Sequence, residues 1–336
     1  MKVLLTGGTG YLGSHTAVAL AEAGYDLVLA DNFANSQPQA LSALEELLGK
    51  KMNFWEVDFR CQEAVDALFR REKPDAVVHF AGYKAVGESV ENPLKYYENN
   101  LLSGIRLLQA MDRHACQILI FSSSATVYRR DQGPVLDEGI PVAPYNPYGQ
   151  SKGMLEQIIC DFAKTKPGFA GVNLRYFNPG GAHPSGLIGE DPQGIPNNLL
   201  PYLCQVYGKK LPELQVFGDD YDTVDGTGVR DYVHVCDLAE GHVAALDYAF
   251  HHPGVEAINL GTGHGTSVLQ IIQAFSQAAG VPIPYRIGPR RPGDLAIYYA
   301  DVKKAKEVLG WESSRTIDDI CASCIHYVDE RRKRGQ

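Results

Sequence analysis

The run Lys2-Val3-Leu4-Leu5-Thr6-Gly7-Gly8-Thr9-Gly10-Tyr11-Leu12-Gly13 decides how the rest of this 336-residue chain is read. Lys2 to Thr6 is a short apolar stretch suited to a buried strand, and a helical stretch, Ser14 to Ala23, follows the glycines. Strand, glycine turn and helix start, in that order, make the phosphate-binding turn of a dinucleotide fold. One glycine permits the tight turn, one lets the backbone approach a pyrophosphate, and one lets the helix pack on the strand. The helix N-terminus is then left facing the phosphates.

Outward from that turn the chain keeps alternating. Asp26 to Ala30 reads as a second strand ending at Asp31, about 20 residues past the turn, where an acid suits the free ribose hydroxyls of NAD and repels the extra phosphate of NADP. Asn32 offers hydrogen bonds to the adenosine half, and Asn35 and Ser36 either do the same or form a plain polar loop. Asn53 to Val57 reads as a third strand ending at Asp58, whose carboxylate either accepts from an adenine amino group or caps a helix beginning near Gln62. Asp75 to Gly82 is continuously apolar, as a strand buried on both faces is. It ends in Phe80, Ala81 and Gly82, small enough at the last two for a cofactor to lie against the backbone, with Lys84 just beyond. Pro93 to Met111 is helical in pattern and carries Asn99; Gln117 to Ser124 and Gly171 to Asn178 are further strands. Six strands with helical crossovers predict an α/β fold, a Rossmann-type doubly wound parallel sheet.

Tyr148-Gly149-Gln150-Ser151-Lys152 lies on the helix after the fifth strand. Residues four apart share a helix face, so the Tyr148 phenol and the Lys152 ammonium point into one cavity. A nearby cation favours the phenolate, and the sequence therefore predicts a lowered Tyr148 pKa and a tyrosine able to take a proton from an alcohol. Ser122, Ser123 and Ser124 close the preceding strand, delivering hydroxyls to a site at its carboxyl end.

Composition bounds the rest. Hydrophobic residues make up 45% and charged residues 21%, ordinary for a soluble globular enzyme. The formal net charge of -9 argues against nucleic-acid and anionic-membrane partners, while Arg230, Arg290 and Arg291 offer a local cationic pocket for a phosphate. The chain opens directly on a strand, leaving no room for a signal peptide, and no apolar run approaches membrane-spanning length. Seven scattered cysteines fit free thiols in a reducing cytoplasm. No metal is expected, since His183, His234 and His242 lack a second ligand cluster at metal spacing.

After Asn178 the texture changes to glycine- and proline-rich loops, so a smaller, discontinuous α/β substrate lobe is expected. The division assigns residues 1–178 and 232–263 to the dinucleotide-binding domain and 179–231 and 264–336 to the substrate domain. Tyr232 to Ala249 reads as helix, and Ala257 to Leu260 as a strand rejoining the sheet.

Several stretches carry a more specific signal: Thr6 to His15, His79 to Asn99, Ser122 to Tyr128, Tyr148 to Lys152, Arg175 to Gln193 and Gly226 to Asp237. Together they closely resemble the UDP-glucose/UDP-galactose 4-epimerases of the extended short-chain dehydrogenase/reductase superfamily. The resemblance implies reversible, NAD-dependent inversion at C4 of UDP-glucose and UDP-galactose through a 4-keto intermediate, in galactose metabolism, by a homodimer. It makes Tyr148 the catalytic tyrosine, Lys152 the lysine holding the nicotinamide ribose, and Ser124 the hydroxyl near the C4 oxygen. It assigns the phosphate turn to Gly7, Gly10 and Gly13 and the adenosine to Asp31 and Asp58, and Tyr11, Leu12, Asn32, Asn35, Ser36 and Phe59 beside them are expected as further cofactor contacts. Lys84 and Asn99 match further cofactor contacts of the family, and Phe80, Ala81, Gly82, Ser122 and Tyr176 are expected to join them. For the nucleotide sugar it implies Lys84, Ser124, Phe177, Asn178, Asn198, Leu199, Phe217, Arg230, Arg291, Asp294 and Tyr298, the last lining the pocket near the sugar C2 substituent. Arg129-Arg130 stand where the family usually has a glycine, Val57 replaces a common glycine and Gln150 a common lysine, which bears on loop shape rather than chemistry. A nucleotide-sugar 4,6-dehydratase would carry carboxylates where this chain has Ala125 and Thr126, and a non-catalytic NAD sensor would often lack Tyr148 or Lys152.

Overall fold

In the computed structural model, which describes residues 1–129, 132–192, 194–291 and 293–335, the chain opens as the glycine turn predicts. First come β1 (Lys2–Thr6), α1 (Tyr11–Glu22), β2 (Asp26–Asp31), α2 (Pro38–Leu48), β3 (Asn53–Glu56), α3 (Gln62–Glu72) and β4 (Ala76–His79). Next are α4 (Val86–Glu91), α5 (Pro93–Arg113), β5 (Ile118–Ser124), β6 (Val135–Leu136), α6 (Pro147–Lys164), β7 (Ala170–Tyr176) and β8 (Asn178–Gly180). Then follow α7 (Leu199–Tyr207), β9 (Leu214–Phe217), β10 (Val229–Arg230), β11 (Tyr232–His234), α8 (Val235–Ala249) and β12 (Gly254–Leu260). The chain closes with β13 (Thr266–Ser267), α9 (Val268–Ala279), β14 (Tyr285–Gly288), β15 (Ile297–Ala300), α10 (Lys303–Leu309) and α11 (Ile317–Lys333).

Seven parallel strands form the main sheet in the order β12-β7-β5-β4-β1-β2-β3. The strand order reverses between β1 and β4, and in open α/β sheets the crevice at the carboxyl ends of such a pair is where ligands bind. Both faces are covered. Leu5, Leu29 and Val78 pack towards α1 and α8 on one side; Leu4, Val77 and Phe121 pack towards α3, α5 and α6 on the other. A separate apolar core joins α7, α9 and α11 through Leu203, Phe275 and Ile320. Lys303 to Trp311, which the sequence division assigned to the substrate domain, packs back on the large sheet: Ala305 and Trp311 belong to its core, and the Trp311 indole donates to the Asp237 carbonyl at 3.0 Å.

The structure corrects several sequence boundaries. Helix α1 begins at Tyr11, so Gly13 lies inside it rather than before it. Its place there is steric: a Cβ on Gly13 would lie 2.2 Å from the Gly7 carbonyl oxygen. Tyr232–His234 is a strand paired with β8, and α8 starts only at Val235, where the His234 ring accepts from the Cys236 N–H at 3.1 Å and caps the first turn. The strand expected over Asp75 to Gly82 is confined to Ala76–His79, because the glycine-containing segment beyond it leaves the ladder. The strand expected to run through Asn178 stops at Tyr176, and Asn178–Gly180 pairs with β11 in a different sheet. Among the described residues no helix is long and apolar enough to cross a membrane.

Candidate active site

Helix α6 starts where Pro147 fixes its first turn and the Asn146 side chain accepts the Gly149 N–H at 2.8 Å. Gly149 lies against the short helical turn Ala125–Val127, since a Cβ there would sit 2.6 Å from the Thr126 carbonyl oxygen. That approach brings Tyr148 against Ser124. The Ser124 hydroxyl oxygen accepts from the Thr126 N–H at 3.2 Å and the Thr126 hydroxyl at 3.0 Å. The same hydroxyl neighbours the Tyr148 phenol and favours its ionised form.

One turn on, Lys152 is buried, donates to the Ser122 carbonyl at 2.6 Å, and lies 4.9 Å from the Phe121 ring centroid and 5.9 Å from that of Tyr148. The shared helix face is as the spacing predicts, but the electrostatics are not. Burial raises the Tyr148 pKa above its ordinary value, with the neighbouring Ser124 hydroxyl opposing the shift. Lys152 does not lower it, because the ammonium faces the Ser122 carbonyl and is itself pushed down to about 8 by burial, with Glu156 opposing. In the protein alone the phenol is therefore a proton holder, and additional positive charge is needed to make it a base at neutral pH.

The dinucleotide half is built by interlocking backbone. Gly7 has φ of +67°, and a Cβ there would lie 2.9 Å from the Ala81 nitrogen, so the loops after β1 and β4 touch at the switch point. The Asp31 carboxylate holds its own loop, accepting from the Thr9 N–H at 3.2 Å, the Phe33 N–H at 3.0 Å and the Ser36 hydroxyl at 3.1 Å. Asp58 does not cap α3, whose N-cap is Cys61; it pairs with Arg60 at 2.6 Å, which holds its carboxyl below the ordinary value. Lys84 pairs with Glu190 at 2.8 Å and lies 5.7 Å from the ring centroid of Tyr11, whose hydroxyl donates to the Gly181 carbonyl at 2.7 Å.

At the other end, Arg230 lies 4.5 Å from the Tyr298 ring centroid, and Arg291 lies 4.6 Å from that of Phe217 while pairing with Asp294 at 3.2 Å. Tyr298 donates to the Asn178 side-chain oxygen at 3.4 Å and packs beside Phe177. Asn198 begins α7 without a side-chain capping bond. Arg290, expected in the same cationic pocket, does not reach it and pairs with Asp220 at 2.6 Å.

Arg290 apart, the residues assigned above to cofactor, substrate or catalysis lie around a single cleft of about 1720 Å³. A single small ligand ordinarily fills about 300–1,000 Å³, so the cleft has room for a dinucleotide and a second ligand end to end. The glycine cradle, the Asp31 loop and the Phe80-Ala81-Gly82 wall fit an NAD-sized group. Arg129 also lines the cleft, while Arg130 lies outside the described residues. Two positioning residues escaped the sequence reading. Asn100 binds the Tyr83 N–H at 2.8 Å, its carbonyl at 3.1 Å and the Ser151 hydroxyl at 3.0 Å, tying the loop before Lys84 to α6. Glu190, the partner of Lys84, sits 106 positions away in sequence.

Comparison with known proteins gives a consistent result. Residues 3–261 match the model of the NAD dependent epimerase/dehydratase family. A UDP-glucose 4-epimerase of Bacillus subtilis (strain 168) is 52% identical over 322 residues, covering 96% of this chain and 95% of that protein. The crystal structure of UDP-glucose 4-epimerase from Bifidobacterium longum in complex with NAD+ and UDP is 50% identical, with a TM-score of 0.95 over 99% of both chains. That of the Stenotrophomonas maltophila enzyme, with bound NAD and formylated UDP-arabinopyranose, superposes with a TM-score of 0.96 at 44% identity, over 99% of both chains.

Proposed function

The chain belongs to the NAD dependent epimerase/dehydratase family, and from that premise we propose that it interconverts UDP-glucose and UDP-galactose by inverting C4 of the sugar, with NAD as resident cofactor. The observation that carries this reading is the convergence of Ser124, Tyr148 and Lys152 on the wall of one cleft with room for both ligands.

Bound NAD supplies a hydride acceptor and, in its oxidised form, a positive charge for the site. Tyr148 takes the proton of the C4 hydroxyl as the C4–H bond breaks. Ser124, whose hydroxyl neighbours the phenol and favours its ionised form, steadies the charge that develops there. The sugar becomes a 4-keto intermediate. When the opposite face of C4 is presented, the hydride returns to carbon and Tyr148 returns the proton to oxygen, so no net oxidation occurs. Lys152 orients the nicotinamide ribose from its place on the Ser122 carbonyl. Arg230 and Arg291 pair with the diphosphate, for which two guanidinium forks suit paired oxygens. Asn178, Asn198, Leu199 and Phe217 hold the uridine end; Gly7, Gly10, Gly13, Asp31 and Lys84 hold the cofactor.

The two-domain division, with residues 303–311 packed on the dinucleotide side, belongs to the same reading. So does a homodimer through α5 and α6, supported by the exposed side chains of Leu94 and Met154 on those helices; a monomeric mass by light scattering would overturn it. All seven cysteines are free thiols, which supports a reducing cytoplasm. Tyr148→Phe tests the mechanism: loss of the general base is expected to lower kcat by about 10²–10⁴-fold with UDP binding retained. Near-normal turnover would remove Tyr148 from the chemistry.

A further inference from the structure

Arg290 is a cation without a place in the mechanism. Its surroundings give it one. Strands β9 and β14 run parallel with Phe217 opposite Gly288, and the Gly218 N–H donates to the Gly288 carbonyl at 2.8 Å. The two chains therefore leave the sheet side by side: Gly218 to Tyr221 from one strand, Pro289 to Arg291 from the other. Arg291 turns to the cleft and lies on Phe217. Its neighbour turns the other way: the Arg290 guanidinium lies 4.0 Å from the Tyr221 ring centroid, donates to the Asp220 carboxylate at 2.6 Å, and also bonds the Asp220 carbonyl. Consecutive arginines are thus stacked on two aromatic rings of one turn.

The turn leaves no slack. Gly218 has φ of +83°, and a Cβ there would fall 2.7 Å from Arg290 Cγ and 2.9 Å from the Tyr221 ring, so the stack rests directly on the glycine backbone. The Tyr221 N–H donates to the Gly226 carbonyl at 2.9 Å, closing the loop behind the ring. The Tyr221 hydroxyl is buried and has no hydrogen-bond partner among the described residues, and the residue borders the cleft, so the stacked ring and the hydroxyl are separate candidates that Tyr221→Phe tells apart.

We propose that Arg290, Asp220 and Tyr221 form a brace whose purpose is to hold Phe217 and Arg291 in position for the uridine diphosphate portion of the substrate. Arg290 and Tyr221 are positioning residues, and Arg290 is not itself a phosphate ligand. The identity of the ligand rests on the function proposed above. The physical reason for a brace is entropic. Arg291 is a long, half-exposed side chain, and immobilising such a side chain on binding weakens affinity unless the protein has already oriented it. Phe217 and Asp294 orient Arg291, and Phe217 is in turn fixed by the turn that Arg290 clamps.

The test compares the NAD-loaded natural protein with Arg290→Gln, Tyr221→Leu, Tyr221→Phe and Gly218→Ala, titrating UDP by calorimetry and measuring turnover of UDP-galactose. Loss of a partly desolvated cation–π stack predicts a Kd for UDP and a KM for UDP-galactose raised about 3- to 30-fold in Arg290→Gln and Tyr221→Leu. Their kcat should stay within about twofold, the pattern of lost ground-state binding. Gly218→Ala, which forces the stack apart without deleting either member, should behave alike, and Tyr221→Phe, which keeps the ring, should bind UDP as the natural protein does. Unchanged UDP affinity in Arg290→Gln and Gly218→Ala overturns the brace while leaving the epimerase reading intact. A loss in Tyr221→Phe equal to that in Tyr221→Leu also overturns it, by placing the hydroxyl rather than the stack in the contact. A natural protein that does not bind UDP overturns both readings.

Discussion

Replacing Gly13 by alanine perturbs the phosphate turn at the point where its geometry is tightest. The added methyl would lie 2.2 Å from the Gly7 carbonyl oxygen, 2.9 Å from the Gly8 Cα and 3.0 Å from the Gly7 carbonyl carbon. Non-bonded carbon contacts are comfortable only from about 3.5 Å, so the overlap exceeds an ångström at the oxygen. Every atom it meets is backbone, and no rotamer change can relieve it. The relief must come from α1 moving away from β1, which opens the turn and carries the helix N-terminal N–H groups away from the phosphates they face. Overpacking of this kind costs about 1–3 kcal/mol. Expressed in cofactor binding, that is roughly a 5- to 150-fold loss of NAD affinity. Whatever part falls on the fold lowers the thermal midpoint by at most about 2–4 °C per kcal/mol. Gly10→Ala provides the graded comparison, because its methyl would meet only the Gly7 carbonyl oxygen, at 3.2 Å, and should cost the fold less. NAD titration of the cofactor-stripped variants with parallel thermal scans reads both effects. A Gly13→Ala protein that binds NAD and unfolds like the natural one would refute the steric argument.

Burial holds Lys152 near pH 8 instead of its ordinary 10.5, so the charged lysine destabilises the cofactor-free fold by ~3 kcal/mol. Lys152→Met should therefore raise the thermal midpoint at pH 7 while nearly abolishing epimerisation; a lower midpoint contradicts this. A depressed lysine makes stability rise with pH between about 8 and 10.5, and the methionine variant should lose that rise. Burial also lowers His15 and His79 to about 3 and His234 and His242 to about 4. These rings stay neutral in the fold while the unfolded chain takes up protons, so stability should fall as pH drops from about 6.5 towards 4, and equal denaturant midpoints at about pH 7 and pH 5 would contradict it. Tyr298 is packed between Arg230 and Phe177 on the cleft wall, and as a gate at the sugar C2 substituent it should disfavour N-acetylated UDP-sugars by about 5- to 150-fold. Tyr298→Cys is expected to gain turnover of UDP-N-acetylglucosamine, and no gain would remove Tyr298 from that role.

What was legible in the sequence was what short-range geometry controls. Gly7 to Gly13 could be placed between strand and helix because turn, close approach and helix packing act within a dozen residues, and Tyr148 with Lys152 because one helical turn joins them. Where an effect depended on distant partners, the reading failed or was silent. The Lys152 ammonium is held by the carbonyl of Ser122, 30 positions away, and not by the phenol of its helical neighbour. Tyr232 to His234 merged with a helical pattern because nothing local marks a strand whose partner is Asn178–Gly180. Arg290 and Arg291 look alike as consecutive cations, and only their stacking on Tyr221 and Phe217, brought close by the pairing of β9 with β14, separates their tasks. Asn100, which fastens the loop before Lys84 to α6, is one asparagine beside another, Asn99, with no local pattern to separate their tasks.

The central claim is that the cleft holds NAD permanently and uses it without net consumption. Purified protein mixed with UDP-galactose and no added cofactor should produce UDP-glucose, approach the same mixture from either sugar, and accumulate no free NADH. Absence of UDP-glucose after NAD is also supplied, by a protein that remains folded, would contradict the account.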